Sequence, residues 1–450
     1  MRFVYIVIAY LLAPVLCALM LWRGLRDRSY WRDFSQRFGF GARLTTSGIW
    51  VHAVSVGEVQ AAAPLVQALR ARHPSTPIVL TTVTPTGAAR ARGLFKEAAD
   101  VRFMPYDLPG SVRRFFDRVQ PRLAIVFETE LWPNLYHECG RRGVPLVLAS
   151  ARISPRSVRR YRWLVRLFRE TLSHGVVIAA QGPGDAERFK SIGAAPERTH
   201  VIGNVKFDFA APAETTERGR ALRARHAASR PVWVAGSTHE REEAILVEAH
   251  RLLRATHPDA LLIMVPRHPN RFADVAEWLA RSAVAFVRRS QGVPAAAGTE
   301  VLLVDTLGEL LDFYAAGDVA FVGGSLVPIG GHNLLEPAVL GKPILTGPHN
   351  FNGEDIARLL IERGAARVVT DAGGLAQALG ALLGSPAERE HIGAVGRAAV
   401  EENRGAVARL LGLIEPLLGG STAAAESPLA AASAAAREPS TEARSPRATD

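Results

Sequence analysis

The chain has 450 residues, 48% of them hydrophobic and 22% charged, a balance that allows two ordinary cores and excludes a chain disordered throughout. Two cysteines with no CxxC pair and no His/Cys spacing for zinc exclude a disulfide framework and a structural zinc site, and fit a reducing compartment. The formal charge of +11 calls for an anionic partner, either nucleic acid or a membrane surface.

The first stretch decides between those partners. From Phe3 to Trp22 no charged residue occurs, and at 1.5 Å per residue such a run crosses a hydrocarbon core of about 30 Å. Leu21-Trp22-Arg23 leads straight into Arg26, Arg28 and Arg32, without the small-residue exit of a cleaved signal. Residues 1–28 therefore read as a transmembrane anchor. With only Arg2 ahead of the span, the positive-inside rule puts the rest of the chain on the cytoplasmic side of the membrane. No zinc finger, RRM signature or basic-region heptad pattern supports nucleic acid, so the basic charge is assigned to anionic lipid. Trp31 to Phe40 is either a headgroup-level segment or a plain connector.

Apolar runs bounded by turn residues then follow at Ile49–Ala53, Ile78–Thr82, Val101–Met104, Leu123–Phe127, Leu146–Ala149, Val176–Ala180 and His200–Gly203. Helix-length amphipathic segments separate most of them, the pattern of a parallel sheet covered on both faces. The pattern lapses between Phe207 and Arg230. It restarts with Val232–Gly236, Leu261–Val265, Ala283–Val287, Val301–Val304, Val319–Gly323 and Ile344–Gly347. Two Rossmann-like, doubly wound domains are expected, 29–210 and 211–418, with a cleft between the carboxyl ends of their strands. Residues 419–450, almost devoid of large apolar side chains, read as a disordered tail.

Polar residues recur at the strand ends: Glu58, Glu128 and Glu130, Lys206, Ser237-Thr238-His239, Arg267-His268 and Gly308-Glu309. After Phe321-Val322-Gly323-Gly324-Ser325 comes Gly330-Gly331-His332-Asn333-Leu334-Leu335-Glu336-Pro337. Glycine pairs let a ligand approach backbone, and a helix starting near Asn333 favours a phosphate, with Glu336 available to ribose hydroxyls. A helix capped by glycine and Asn explains the same stretch without a ligand. Arg152 to Arg169 interleaves seven arginines with Tyr161, Trp163, Leu164, Leu167 and Phe168. It is either a face for anionic lipid and lipid phosphates or a solvated Arg face over a packed helix.

Taken together, several stretches resemble one family, the Kdo transferases, which add 3-deoxy-D-manno-oct-2-ulosonic acid to a lipid A precursor. They are His52-Ala53-Val54-Ser55-Val56-Gly57-Glu58, Thr84-Pro85-Thr86-Gly87, Pro105-Tyr106-Asp107, Glu128-Thr129-Glu130-Leu131-Trp132-Pro133-Asn134 and Ala151-Arg152-Ile153-Ser154. Gly203-Asn204-Val205-Lys206-Phe207, Ser237-Thr238-His239-Glu240, Val265-Pro266-Arg267-His268-Pro269 and the Gly330 to Pro337 stretch complete the set. The resemblance runs from the anchor to about Leu418 and implies a GT-B glycosyltransferase fold. It also implies transfer of Kdo from CMP-Kdo to a sugar hydroxyl with inversion.

By that resemblance Glu58 is the general base and Glu128 and Lys206 are transition-state residues, with Lys206 a cation for the leaving phosphate. A carboxylate beside an anionic donor repels it, so Glu128 is expected to hold a basic group or to bind the acceptor. Pro266 and Arg267, Leu307, Gly308 and Glu309, and Asn333, Leu334, Leu335 and Glu336 match the family's CMP contacts. Glu130, His268 and His332 are read as structural. No Asp-x-Asp pair occurs, a single leaving phosphate can be met by Arg and Lys, and neither metal nor cofactor is expected. Two other readings remain: a GT-B transferase with a UDP- or ADP-sugar donor, and a non-catalytic anchored nucleotide-binding module.

Overall fold

The computed structural model describes residues 1–161 and 165–419. The expected tail beyond Gly419, and Arg162, Trp163 and Leu164 of the basic stretch, lie outside the described residues. The chain divides into two compact units, residues 1–205 together with the segment from Gly405, and residues 206–404.

The first unit carries seven strands: β1 (Gly48–His52), β2 (Ile78–Thr82), β3 (Asp100–Phe103), β4 (Pro121–Phe127), β5 (Leu146–Ala151), β6 (Val177–Ala180) and β7 (Thr199–Val201). They form one parallel sheet in the order β3-β2-β1-β4-β5-β6-β7. Successive residues of a strand feed opposite cores. Ile49 and Val51 pack with Leu80 and Ile125 on one face, and Trp50 packs with Val79 and Val126 on the other. Burial on both faces leaves no room for alternation, which is why these strands read as continuous apolar runs. Trp50, wholly buried, donates its indole N–H to Thr81 Oγ1 at 2.8 Å.

The second unit repeats the plan with β8 (Val232–Thr238), β9 (Leu261–Pro266), β10 (Phe286–Arg288), β11 (Val301–Leu303), β12 (Val319–Val322), β13 (Ile344–Thr346) and β14 (Ala366–Val368). Its order is β10-β11-β9-β8-β12-β13-β14, again all parallel. In both sheets the first strand lies at the centre, strands are added to one side, and the chain then crosses to the other. The topological switch points fall between β1 and β4 and between β8 and β12, where doubly wound sheets hold their ligands. β14 was not anticipated: it is an edge strand of three residues whose Val368 is exposed, too short and too open to leave an apolar run.

The division of the chain departs from the expected 211–418 unit at its end. Helix Ala406–Gly419 belongs to the first unit. Its Val407, Leu410, Leu411, Ile414 and Leu418, at helical spacing, join Val59, Leu65 and Phe127 in one core. Polar contacts fasten the same helix: Arg409 Nε donates to the Ile202 carbonyl at 2.7 Å, and Glu415 pairs with Arg72 at 3.2 Å and His73 at 3.1 Å. The first boundary also moves, since Lys206 opens the second unit rather than closing the first.

At the other end, Arg2–Arg26 is a single helix, long and apolar enough by length and composition to cross a membrane. The basic stretch forms two helices, Pro155–Tyr161 and Val165–Leu172. Val158, Leu167 and Phe168 are buried, while Arg156, Arg159, Arg166 and Arg169 are exposed, which serves a solvated face and a lipid-facing one alike.

Removing a wholly buried leucine from the returning helix should show its place in the first core. Leu410→Ala is expected to lower the stability of the first unit by about 2–5 kcal/mol. The urea midpoint of that unit should fall while the transition of the second stays where it was.

Candidate functional site

In the first unit the loop after β1 is fixed by hydrogen bonds to Val54. Its carbonyl accepts from Thr82 Oγ1 at 2.8 Å and its N–H donates to Glu58 Oε2 at 2.9 Å. Ser55 caps helix Val56–Arg72, and its hydroxyl donates to Glu58 Oε1 at 3.1 Å. Glu58 is thus the third residue of a capping arrangement whose carboxylate folds back over its own loop. Thr84-Pro85-Thr86-Gly87 buttresses it. Thr84 caps helix Pro85–Phe95, and a Cβ on Gly87 would come within 2.5 Å of Thr82 Oγ1.

Across the switch point, Glu128 follows β4 in the left-handed backbone region at φ 57°, a conformation that costs a non-glycine residue of order 1–3 kcal/mol. Its N–H still donates to the Ala149 carbonyl at 3.0 Å, so the strain lies at a paired position between two strand ends. Two residues on, the Glu130 carbonyl accepts from the Tyr136 hydroxyl at 2.8 Å. Burial pushes the Glu130 carboxyl up to about 7, the charges of Glu58 and Glu128 add to the rise, and the Trp132 indole opposes it. Glu58 and Glu128 thus both bear on Glu130, and Glu130, read as structural from the sequence, is raised to near neutrality.

Asp107 holds this loop from below. It accepts from the Asn134 and Leu135 N–H groups at 3.0 and 2.9 Å, satisfying the start of helix Pro133–Arg142. Burial pushes it up to about 6 against the pull of those bonds. The Pro105-Tyr106-Asp107 and Trp132-Pro133-Asn134 stretches thus meet in one capping interaction.

The second unit uses its strand ends differently. Glu242, wholly buried at the start of helix Glu242–Arg254, accepts from the N–H groups of His239, Gly324, Ser325 and Leu326 at 3.2, 2.8, 3.1 and 3.0 Å. The first glycine pair is therefore filled by a carboxylate of the chain itself. The second is also engaged: Gly330 and Gly331 sit at positive φ and donate their N–H groups to the Gly324 carbonyl at 3.1 and 2.8 Å. The expectation that both pairs offer bare backbone to a ligand is corrected accordingly. What the folded glycine loop does is deliver His332, whose ring stacks on His239 with Nε2 atoms 2.8 Å apart.

That contact belongs to a larger cluster. His239 also meets His268 edge-on, with ring centroids 5.3 Å apart. Arg267, exposed at the end of β9 with its N–H bonded to the Thr238 carbonyl at 3.0 Å, acts on all three imidazoles. Burial lowers His239 to about 4 and His332 to about 3, with the neighbouring cations adding to the fall. At neutral pH the rings are uncharged donors and acceptors beside one guanidinium. Nearby Arg271 is spent on Glu243 at 2.6 Å. Sequence reading set His268 and His332 aside. Their signal was position, since each directly follows a strand end or glycine pair within a quoted motif.

The remaining expected contacts lie around this cluster. Pro266 is buried at the end of β9, paired with Thr238. Leu307 is 72% exposed and Gly308 stands at φ 85° with open space where a Cβ would be. The Glu309 side chain is occupied: burial pushes it up, but Arg289 at 2.8 Å and the Thr306 hydroxyl hold it below the usual range. The anticipated helix after Asn333 is only Leu335–Val339. Asn333 Oδ1 accepts from the Leu335 N–H at 3.2 Å and its amide donates to Glu336 Oε1 at 3.3 Å, while Leu334 and Leu335 are buried. Lys206 lies in the turn Val205–Asp208, between a residue of the first core and one of the second.

The profile described as 3-Deoxy-D-manno-octulosonic-acid transferase (kdotransferase) matches residues 32–209. The 3-deoxy-D-manno-octulosonic acid transferase of Haemophilus influenzae is 40% identical over 93% of this chain and 99% of its own length. The chain belongs to the Kdo transferase family. The enzyme of the same name from Bordetella pertussis is also 40% identical, over 91% of this chain and 97% of its own, and a probable mitochondrial one from Arabidopsis thaliana is 32% identical over 77% and 79%. Membership makes the protein a glycosyltransferase that transfers Kdo. Among solved structures, a glycosyltransferase from Rickettsia africae (TM-score 0.54, 14% identity, 83% of this chain and 99% of that one) shares the fold. So does a UDP-GlcNAc 2-epimerase from Neisseria meningitidis (0.55, 13%, 82% and 100%). The architecture is that of GT-B glycosyltransferases.

The raised Glu130 carboxyl gives a stability test. In the unfolded Kdo transferase chain it ionises near 4.5, in the folded one near 7. Between those values the native state holds the extra proton, so stability falls as pH rises through the window and levels off above it. Glu130→Gln cannot ionise. Its stability relative to the parent should therefore grow from pH 4.5 to pH 7.5, by up to about 3 kcal/mol, in denaturant titrations at a series of pH values. A constant difference would show that Glu130 ionises normally.

Proposed function

We propose that this Kdo transferase takes its sugar from CMP-Kdo, bound by the second unit, and gives it to a lipid A precursor held by the first. The observation that carries this reading is the sorting of charge between the two switch points. One gathers carboxyl groups, suited to removing a proton from a sugar hydroxyl; the other gathers Arg267 and three imidazoles, suited to a phosphate and a sugar carboxylate. The acceptor oxygen attacks the anomeric carbon as Glu58 takes its proton. The bond from that carbon to the phosphate oxygen breaks, and its electron pair leaves on CMP with inversion at the sugar. Arg267 and Lys206 meet the growing phosphate charge, and Glu128 serves the transition state from the acceptor side. Backbone groups of Leu307, Gly308 and Glu309 read the cytosine edge. Glu336 takes the ribose hydroxyls, oriented by Asn333 and seated on Leu334 and Leu335, with Pro266 fixing the approach of Arg267. The apolar Arg2–Arg26 helix ties the enzyme to the cytoplasmic side of a bacterial inner membrane.

Incubation of the full chain with CMP-Kdo and a tetra-acylated lipid A precursor, followed by mass spectrometry of the lipid, tests the reaction. Addition of Kdo mass is expected. Transfer from a UDP- or ADP-sugar with none from CMP-Kdo would replace the donor assignment.

Glu58→Gln keeps an oxygen for the Val54 N–H and so keeps the loop, but it cannot accept a proton at neutral pH. Turnover should fall roughly 10²–10⁴-fold with CMP-Kdo affinity retained. Near-normal transfer would remove Glu58 from the base role and leave Glu128 as the next candidate.

Arg267→Ala and Glu336→Gln should each weaken CMP binding about tenfold or more in calorimetric titrations, because each loses a charged hydrogen-bond partner worth about 1.5–3 kcal/mol. Unchanged affinity in both would move the nucleotide elsewhere.

A further inference from the structure

Helix Arg2–Arg26 is not free along its length. Arg2, Tyr5, Ile6, Ala9, Ala13, Cys17 and Met20 are partly covered and Gly24 is buried, a stripe running mostly at intervals of three and four residues, whereas the other residues of the helix are exposed. The stripe is fastened at both ends to the first unit. In the first turn the Tyr5 hydroxyl donates to Asp107 Oδ2 at 2.8 Å and Arg2 Nε to Asn134 Oδ1 at 3.2 Å, both acceptors being buried. In the last turn Trp31 donates its indole N–H to the Leu21 carbonyl at 3.0 Å and lies so close to Gly24 that a Cβ there would be 1.8 Å from the ring nitrogen. The chain behind Trp31 is itself locked in: Gln36 accepts from the Phe103 N–H at 2.8 Å and Arg37 donates to the Val83 carbonyl at 2.9 Å.

A helix of 25 residues is about 37 Å long. If it crossed a bilayer with the first unit at one surface, Arg2 and Tyr5 would stand on the opposite surface, out of reach of Asp107 and Asn134. We propose that the helix lies in the plane of the membrane instead, with its covered stripe on the first unit and its exposed face in the lipid. The inference rests on reading this helix as the membrane anchor, and it changes how the anchor sits. Two further features fit it. The outward face is large and apolar, with Phe3 77%, Leu11 70%, Val15 62% and Leu25 72% exposed, the kind of face that settles about 5–10 Å into the headgroup and acyl boundary. Cations stand at both ends of the helix: Arg23 and Arg26 in the last turn, and Arg2 with Arg113 on a cavity of about 250 Å³ at the first turn, where they can meet anionic headgroups. The acid of that cavity, Glu138, is already paired with Arg141 and Arg142, both at 2.6 Å.

The two arrangements differ in where the amino terminus lies. A short leader with one cysteine is placed ahead of Met1 in the full chain carrying Cys17→Ser, and a second version carries Arg90→Cys, an exposed position of the first unit, in place of the leader. Each is treated with a membrane-impermeant maleimide in intact spheroplasts and in inside-out vesicles. With the helix in plane, both thiols react in inside-out vesicles and neither reacts in spheroplasts. A leader thiol that reacts in spheroplasts while Arg90→Cys does not would overturn the in-plane arrangement and leave the anchor reading intact. Recovery of the full chain in the soluble fraction would overturn both.

Discussion

Three carboxylates that accept hydrogen bonds from backbone amides at strand ends hold the loops on which the candidate site stands. Glu58 ties down Val54 after β1, Asp107 ties down Asn134 and Leu135 beyond β4, and Glu242 gathers three amides after β12 and that of His239 after β8. Loops at the edge of a parallel sheet leave amide groups that no neighbouring strand can take. A buried acid satisfies several at once and, unlike water, fixes their direction. The positions of Glu128, Glu130 and His332 follow from those anchors, since each lies within a few residues of a tethered amide.

The two switch points then diverge in electrostatics despite their common topology. In the first unit burial raises the Glu130 carboxyl, and the charges of Glu58 and Glu128 add to the rise. In the second, burial lowers the His239 and His332 imidazoles and the Arg267 charge adds to the fall, so these rings are neutral at neutral pH. Glu130 thus stands above the usual carboxylate range on one surface, while the imidazoles of the other stand below theirs. Both conditions come from low solvent access rather than from residue type, and a list of residues does not display them.

This explains what could be read from the sequence. Strands buried on both faces leave apolar runs, and most of the thirteen expected strand positions, from Ile49 to Thr346, rest on that signal; β14, an edge strand with an exposed valine, leaves none. The placement of Glu58, Glu128 and Arg267 at strand ends was legible through the alternation of strands and helices. The role of Glu242 was not, because its partners at Gly324 to Leu326 lie more than eighty residues away and nothing local marks the pairing. The glycine pairs were misread for the same reason: glycine signals close approach, and here the approaching groups are a carboxylate and the chain's own loop. Nor does helical periodicity in Ala406–Gly419 say which core the helix will join.

That last helix bears on how the molecule is made. The first unit is discontinuous in sequence, with the whole of residues 206–404 intervening before its final helix arrives. On the ribosome, the apolar surface formed by Val59, Leu65 and Phe127 stays uncovered until the second unit has been synthesised and the closing helix has left the exit tunnel. Completion of the first core thereby waits on completion of the second unit. A chain terminated early would carry a finished second unit and an open, sticky first one, a species suited to recognition by chaperones and proteases.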